Sequence, residues 1–430
     1  MGANGRPPSM LAGTNLGAAS AHNRRVIIGA LRRNGPMSRA ELARSTLLTR
    51  QTMSNIMDEL ESAGLVEAEA AVKLNRGHPA VPYRLVPNGA FAIGLHIDRR
   101  YLRAIAVDLL CRPLVRVGCE LPEATPHKGI PIALDLIARV RRQLDHTHAN
   151  ADSRTVGLGV ALPGPFGVAE PGRHQGLAAL WHSHPLHRVL TQSTGLKVRI
   201  FNDAAAATLA EKLSGHGHGI DNFVYLFLAH GIGAGIVMNG ELIEGPRGNF
   251  AEVGEMVMSL TQSDPGPTLE QEASLASLAA LLGAADPSSQ ETYELIQSAL
   301  GNKDARIETW IARVAPRLKQ GLQIIESIFD PDTVIIGGEV PKALLEKLLP
   351  ALSPPFPTIA DRPTRPLPRI LIGETDRWAV ALGAASEPIS REFDPRFAAM
   401  LKGETEAAAT GRPGGPNTGK TRPDPEGSDV

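Results

Sequence analysis

The spacing of apolar residues changes once along this chain, at Pro87-Asn88-Gly89, and the change divides the sequence into two structural parts. Before it, apolar residues recur at helical spacing; after it, short β-rich runs such as Phe91–Ile97 give way to strands that alternate with helices. The 430 residues are enough for two or three domains. We therefore predict a small domain over 22–88 and a larger α/β domain over 89–402. The Gly-, Pro- and Ser-rich ends, 1–21 and 403–430, are predicted to be disordered tails.

The cysteine content and the distribution of apolar residues indicate the cellular compartment in which we expect the chain to work. Its two cysteines, Cys111 and Cys119, are too few for a disulfide framework and lack zinc-ligand spacing, so we expect two buried thiols. The first residues show no apolar run between a basic start and a cleavage site, so we expect no signal peptide, and no apolar run approaches the roughly 20 residues of a membrane helix. We expect a cytoplasmic protein without a membrane partner.

The segment from His22 to Val86 has the element order of a winged helix-turn-helix. A first helix, predicted over His22–Ala30, is broken at Gly35-Pro36, and Ser38 with Glu41 three residues later forms a capping box that opens a second helix. A third helix runs from Thr49 to Gly64, and a two-stranded ribbon follows it. The buried stripe of the third helix is predicted to comprise Met53, Ile56, Met57 and Leu60.

The outward face of the third helix carries polar side chains that could bond to base edges or phosphates in a major groove. The segment 22–86 also holds ten Lys or Arg against six Asp or Glu, as a phosphate-binding surface requires. A small helical interaction module without a role in DNA binding remains the alternative. The predicted DNA-binding residues are Arg50, Gln51, Thr52, Ser54 and Asn55 on the helix, with Arg76 and His78 at the tip of the wing.

Glycine-containing turns follow four predicted strands of the larger domain, and each turn could bring a ligand close to the backbone. Any one of them alone is more often structural. Together they resemble, in order, the motifs of the ROK family of repressors and sugar kinases, from Ala90 to about Met400. The motifs that carry the resemblance are Leu162-Pro163-Gly164-Pro165, Asn202-Asp203-Ala204, Gly231/Gly233/Gly235 and Gly248 to Gly254.

The resemblance implies an α/β fold of the actin-like ATPase (ribonuclease H-like) type, with two lobes and a sugar site in the cleft between them. The winged helix in front is a feature of the repressor branch. In the kinases, the residue matching Asp203 is the general base for the sugar hydroxyl and the residue matching Asn202 holds the sugar. Taken alone, Asp203 could also be a helix N-cap. The sugar-binding residues that the resemblance implies are Gly164, Asn202, Asp203, Glu252, Glu255 and Glu270.

The chain departs from the kinase pattern where the nucleotide phosphates would bind. The first phosphate loop reads His96-Ile97-Asp98 instead of Asp-x-Gly, and the second has His230 where a threonine is usual. Asp98 would repel a triphosphate, because phosphoryl transfer depends on neutralising its charge. We therefore expect a degenerate kinase domain that is not an enzyme, has no catalytic residues and needs no cofactor.

The zinc motif of the family is also absent. Glu255 stands where the family has a zinc-binding histidine, and Thr261–Thr268 replaces the cysteine run, so we expect no metal. An acidic pocket made by the sugar-binding carboxylates would favour a neutral or amino-bearing sugar over a sugar phosphate. A vestigial pocket that binds nothing is the alternative.

These observations predict a sugar-responsive DNA-binding regulator of carbohydrate metabolism genes, with repression as the expected sign. Its partners would be a double-stranded DNA operator and a small sugar, and the two-fold symmetry of operators predicts a homodimer or a dimer of dimers. An active ATP-dependent sugar kinase is the first alternative. The second is a DNA-binding protein that responds to no small effector.

Overall fold

The structure is a computed structural model that describes residues 16–70, 81–123, 125–166, 177–259, 266–285, 290–353, 355–362, 364–374 and 376–395 (without the side chains of 16–18, 177–179 and 290). Its N-terminal domain contains three helices and a small antiparallel sheet of order β1-β3-β2. The helices are α1 (Leu16–Asn34), α2 (Arg39–Thr46) and α3 (Arg50–Ser62), and the strands are β1 (Met37–Ser38), β2 (Val66–Ala68) and β3 (Pro82–Leu85).

The predicted order of helices and ribbon is confirmed in this domain. Ser38 caps α2 in a capping box with Glu41, and the Thr49 side chain caps α3 by accepting from the Thr52 amide. The four predicted residues of the α3 stripe are all buried. Helix α1 differs from expectation, since it begins at Leu16, inside the predicted tail, and ends at Asn34; alanines at 18, 19 and 21 favour helix without adding an apolar face.

The larger domain consists of two lobes, each built on a five-stranded sheet. A 3-10 turn, Pro87–Gly89, leads into it. The first lobe comprises β4 (Phe91–Ile97), β5 (Tyr101–Asp108), β6 (Pro113–Glu120), α4 (Pro126–Thr147), β7 (Thr155–Leu162), α5 (Leu177–Ser183), α6 (Leu186–Thr194), β8 (Val198–Asn202) and α7 (Asp203–Ser214). The second comprises β9 (Phe223–Leu228), β10 (Ile232–Met238), β11 (Glu241–Ile243), α8 (Leu269–Ala273), α9 (Leu275–Leu282), α10 (Gln290–Gly301), α11 (Ala305–Phe329), β12 (Thr333–Gly338), α12 (Lys342–Leu352), β13 (Ile370–Ile372) and α13 (Ala379–Phe393).

The two sheets have the same topology. Their strand orders are β6-β5-β4-β7-β8 and β11-β10-β9-β12-β13, so each contains an antiparallel meander of three strands followed by two parallel additions on the other side. This duplication agrees with the predicted two-lobed fold. The carboxyl ends of the parallel strands in both lobes face the intervening cleft, which is where open α/β sheets bind ligands.

Helix α13 returns from the second lobe and packs against the first sheet and α7. The approach is close because glycines line its path: a Cβ added at Gly159 would lie 1.9 Å from the Ala384 carbonyl oxygen, and one at Gly383 would lie 1.7 Å from that of Ala206. Helix α7 begins at Asp203, so α13 is packed directly along the helix that carries this residue.

The N-terminal domain shares one hydrophobic core with α13 and with the β4–β5 hairpin. Ile27, Ile28 and Leu31 of α1 belong to the same buried cluster as Ile389 and Phe393 of α13. The Arg32 guanidinium donates to the Leu109 carbonyl at 2.9 Å. The winged helix is therefore packed against the first lobe rather than tethered to it. Within the residues described, no helix is both long and apolar enough to span a bilayer.

Candidate functional site

Helix α3 presents a polar, exposed face at its N-terminal end. Because Met53, Ile56, Met57 and Leu60 turn into the core, Arg50, Gln51 and Asn55 project outward and are exposed. Gln51 Nε2 donates to Asn55 Oδ1 at 2.9 Å, and the Thr52 and Thr49 hydroxyls lie 2.9 Å apart. These bonds are local, so the side chains can exchange them for groups of a ligand.

Ser54 is placed differently from the other predicted residues of this helix. It is half-buried, and its hydroxyl accepts from Arg39 Nη1 at 2.9 Å, while Arg39 Nη2 pairs with Asp58 at 2.7 Å. Ser54 thus anchors α2 to α3, and Arg39 is a cation beside the exposed face that sequence reasoning missed. Arg76 and His78 lie outside the described residues.

A second candidate site lies in the cleft, where strand ends of both lobes converge on a cavity of about 110 Å³. Five of the six predicted sugar-binding residues line it: Gly164, Asn202, Asp203, Glu252 and Glu270. Glu255 does not line the cavity, but its charge helps to raise the pKa of Glu252. The structure therefore brings together residues that are up to about a hundred positions apart in sequence.

Asn202 and Asp203 occupy the junction between β8 and α7. Asn202 is the helix N-cap, since its Oδ1 accepts from the amides of Ala204 at 2.7 Å and Ala205 at 3.4 Å. Its Nδ2 donates to Glu252 Oε1 at 3.2 Å across the cleft. The capping role that Asp203 could have held thus belongs to Asn202, and one Asp203 oxygen, Oδ1, accepts from the adjacent Ala204 amide at 2.7 Å.

Two glycines make room for the carboxylates of the second lobe. A Cβ at Gly164 would lie 2.5 Å from both Asn202 Nδ2 and Glu252 Oε1, and one at Gly231 would lie 2.4 Å from Glu270 Oε2. Glu270 Oε2 in turn accepts from the Ile232 amide at 2.9 Å. Any side chain at either glycine would displace the groups that line the cavity.

Two carboxyl groups in the cavity have pKa values raised to near neutral pH. Burial and the neighbouring Glu252 raise the pKa of Asp203 to about 7, and burial with Glu270 and Glu255 raises the pKa of Glu252 to about 7. Near neutral pH the two carboxyls can therefore both donate and accept hydrogen bonds. That is the capacity needed to hold sugar hydroxyl groups.

Next to these residues, which form the sugar end of the cleft, an ion pair between the lobes lines the same cavity. Arg103 Nη1 of β5 donates to Glu339 Oε1 at 2.9 Å and Oε2 at 3.2 Å, and Glu339 directly follows the Gly337-Gly338 turn. His96 Nδ1 lies 3.4 Å from Glu339 Oε1. All three side chains are nearly buried, with exposed fractions of 10%, 12% and 3% for Arg103, Glu339 and His96.

Of these three groups, only Arg103 is fully charged near neutral pH. Burial lowers the pKa of His96 to about 3, so the imidazole is neutral, and burial raises the pKa of Glu339 to about 7 despite its arginine partner. Burial opposes ionisation of Asp98, but His96, Arg99 and Arg103 keep its pKa below the usual range. Sequence reasoning missed Arg103 and Glu339, although a single arginine in the apolar β5 and a glutamate after two glycines were visible signals.

The zinc site of the family does not fit this chain. Glu255 forms part of a short 3-10 helix, Val253–Glu255, and no thiol lies near it in the sequence. Among the described residues, no three His, Cys, Asp or Glu side chains are grouped so that they could hold a metal ion.

Each of the two parts of the chain matches the model of a known protein family. A model described as the ROK family matches residues 93–386, and one described as the MarR family matches residues 25–73. The chain is 27% identical over 342 residues to the DNA-binding transcriptional repressor Mlc of Escherichia coli, covering 74% of this chain and 81% of Mlc. It is 31% identical over 225 residues to a glucokinase of Thermotoga maritima, covering 44% of this chain and 70% of the glucokinase.

A crystal structure of a ROK family transcriptional regulator, a homologue of Escherichia coli Mlc, shares the fold. It superposes with a TM-score of 0.67 at 22% identity and covers 89% of this chain and 98% of that one. Regulators therefore resemble the chain over both domains, whereas the glucokinase matches less than half of it.

Proposed function

The chain belongs to the ROK family, and we propose that it is a sugar-responsive DNA-binding regulator, with repression as the expected sign, that does not phosphorylate its sugar. One observation carries the proposal: the cavity keeps five of the residues implied for sugar binding, while Asp98 and the Arg103–Glu339 pair line it where the resemblance to the kinases places the phosphates. The same chain presents an exposed polar helix face for duplex DNA. The 27% identity to Mlc over 74% of this chain supports this assignment.

The packing supplies a route from the sugar to the DNA. A sugar hydroxyl held by Asp203 acts on the first residue of α7, which packs along α13, and α13 shares its core with α1 of the winged helix. A ligand that binds one arrangement of the lobes better than another would shift the position of α13. The spacing of two winged helices on a two-fold operator would change with it, so a homodimer or a dimer of dimers is part of the proposal.

The charges of the cavity indicate the class of sugar. The ring of carboxyl groups around Asn202 favours hydroxyl and amino groups and disfavours a phosphate. We therefore propose a neutral or amino-bearing sugar as the effector, carbohydrate metabolism genes as the targets and the cytoplasm as the compartment. Gly164, Asn202, Asp203, Glu252 and Glu270 would hold the sugar, with Glu255 acting through Glu252.

The kinase alternative requires a bound triphosphate as well as a base. Asp203 could serve as the base, but Asp98 and Glu339 are carboxylates where phosphate charge must be neutralised. Arg103, which lines the cavity together with Arg99 and Arg377, is already paired with Glu339. We expect no significant ATP-dependent sugar phosphorylation by the purified chain.

Two assays on one preparation test the proposal. Calorimetry with a panel of neutral and amino sugars should find a ligand, and Asp203→Ala should weaken its binding. A coupled ADP-release assay with the same sugars should stay at background. Turnover at kinase rates of about 1–100 per second, abolished by Asp203→Ala, would make the chain a kinase. DNA binding without any sugar ligand would favour the effector-independent alternative.

A further inference from the structure

A second cavity, of about 280 Å³, lies next to the sugar end of the cleft and shares Asn202 with it. The loops that bound the two cavities are also shared. Gly164 lines the first cavity and Phe166 the second, while Glu252 lines the first and Phe250 the second. The apolar part of the second lining consists of Phe166, Ile200, Phe201, Ala205, Ala234, Ile243 and Phe250.

Two aromatic rings, one from each lobe, are held in this cavity by the backbone around them. Asn249 clamps Phe166 by donating to its carbonyl at 2.7 Å and accepting from its amide at 2.5 Å. The Phe166 ring stacks on His182 with centroids 4.2 Å apart. On the other side, a Cβ at Gly245 would lie 2.9 Å from the Phe250 Cβ, so the loop needs a glycine there to bring Phe250 in.

Phe250 is 38% exposed although it is apolar, which leaves ring surface free for a ligand. The lining also carries two charged side chains, Glu244, which is paired with Arg199, and Arg247. An engineered apolar cavity of about 150 Å³ is sufficient to bind benzene. The second cavity is therefore large enough for a ring-sized substituent and has the lining that such a group prefers.

We propose that this cavity is a subsite for an apolar or aromatic substituent of a glycoside whose sugar ring occupies the first cavity. The inference rests on the proposed function, because the sugar must bind before its substituent can reach Phe166 and Phe250. Asn202 lies at the boundary, so the substituent leaves the sugar from the edge that faces Asn202 rather than Asp203. The effector is then a glycoside in preference to the free sugar.

The test compares matched ligands on the full chain. Calorimetry is done with free glucose, xylose and N-acetylglucosamine and with the methyl and p-nitrophenyl glycosides of each, in both anomers. For at least one sugar, the p-nitrophenyl glycoside should bind about tenfold or more tightly than the methyl glycoside of the same anomer, as expected for burying an aromatic ring.

Variants locate the effect. Phe250→Ala should reduce the preference to about threefold or less and leave methyl glycoside binding within about twofold. Phe250→Leu keeps the loop apolar and replaces the alanine variant if that variant does not fold. It should also lower the preference for the p-nitrophenyl glycoside. Phe356→Ala is the control, because Phe356 is also 38% exposed and lies outside this lining.

The outcomes separate the two proposals. Equal binding of methyl and p-nitrophenyl glycosides, or a preference that survives Phe250→Ala, overturns the subsite while the sugar site stands. If no free sugar and no glycoside binds, the sugar-responsive function fails and the subsite fails with it.

Discussion

The two polar surfaces of this protein are built in opposite ways. On α3, Arg50, Gln51 and Asn55 are exposed, and Gln51 bonds to Asn55 within the same helix. In the cleft, Arg103 and Glu339 are nearly buried and hold each other across the two lobes. The exposed set is free to bind a partner, whereas the buried set is already committed to the protein itself.

Because of this difference, we expect changes on α3 to affect binding and changes to the buried pair to affect the stability of the fold. Exposed polar side chains can be replaced with little loss of stability, because both folded and unfolded states hydrate them. Removing one member of a buried pair leaves an uncompensated charge and is costly. The predictions below test this separation, beginning with the largest effect.

Loss of the exposed face of α3 should abolish recognition and spare the fold. We expect Arg50→Ala with Gln51→Ala to weaken operator binding by about 1–3 kcal/mol for each bidentate side chain removed from a base edge, so by roughly 30-fold or more in total. Fluorescence anisotropy with a selected genomic fragment measures this, and thermal melting should be unchanged. Glu59→Ala, an exposed change near the end of the same helix, is the control. Operator binding at wild-type affinity by the double variant would show that α3 does not read DNA.

Loss of Arg103 should have the reverse signature. We expect Arg103→Met to lower the free energy of unfolding by about 3 kcal/mol, because Glu339 stays buried without its cation. The double variant Arg103→Met with Glu339→Gln should recover part of the loss, which denaturant titration measures. Additive losses in the double variant would mean that the pair does not couple the lobes.

Asp203 should make stability depend on pH. Its pKa is raised from 3.8 to about 7, so its contribution is complete below about pH 4 and is lost as the pH rises through 7. We expect Asp203→Asn to gain about 1–2 kcal/mol on the wild type between pH 5 and pH 8, less than the full shift implies since the side chain is only half-buried. Asp135→Asn, at an exposed position of α4, should show no such trend. A stability difference that stays flat with pH would place an ionised Asp203 in the cavity.

The winged helix could be predicted from local sequence signals, whereas the two-lobed fold and the residues of the cleft were implied by the resemblance to the ROK family. The capping box of Ser38 and Glu41 and the apolar stripe of α3 each depend on residues that are close in sequence, so they could be predicted. The Arg103–Glu339 pair could not, because its members are 236 positions apart and meet only when the two lobes close. The anchoring of Ser54 by Arg39 was missed for the same reason, although it is shorter in range.

The central claim is that a sugar in the cleft controls DNA binding by the winged helix. The direct test measures the affinity of the full chain for a genomic fragment selected by the purified protein, with and without a saturating sugar found by calorimetry. We predict that the saturating sugar changes the DNA affinity of the wild-type chain by about tenfold or more. In Asp203→Ala the sugar should have no effect, and the DNA affinity without sugar should equal that of the wild type. Identical DNA affinity with and without a sugar that demonstrably binds would contradict the account.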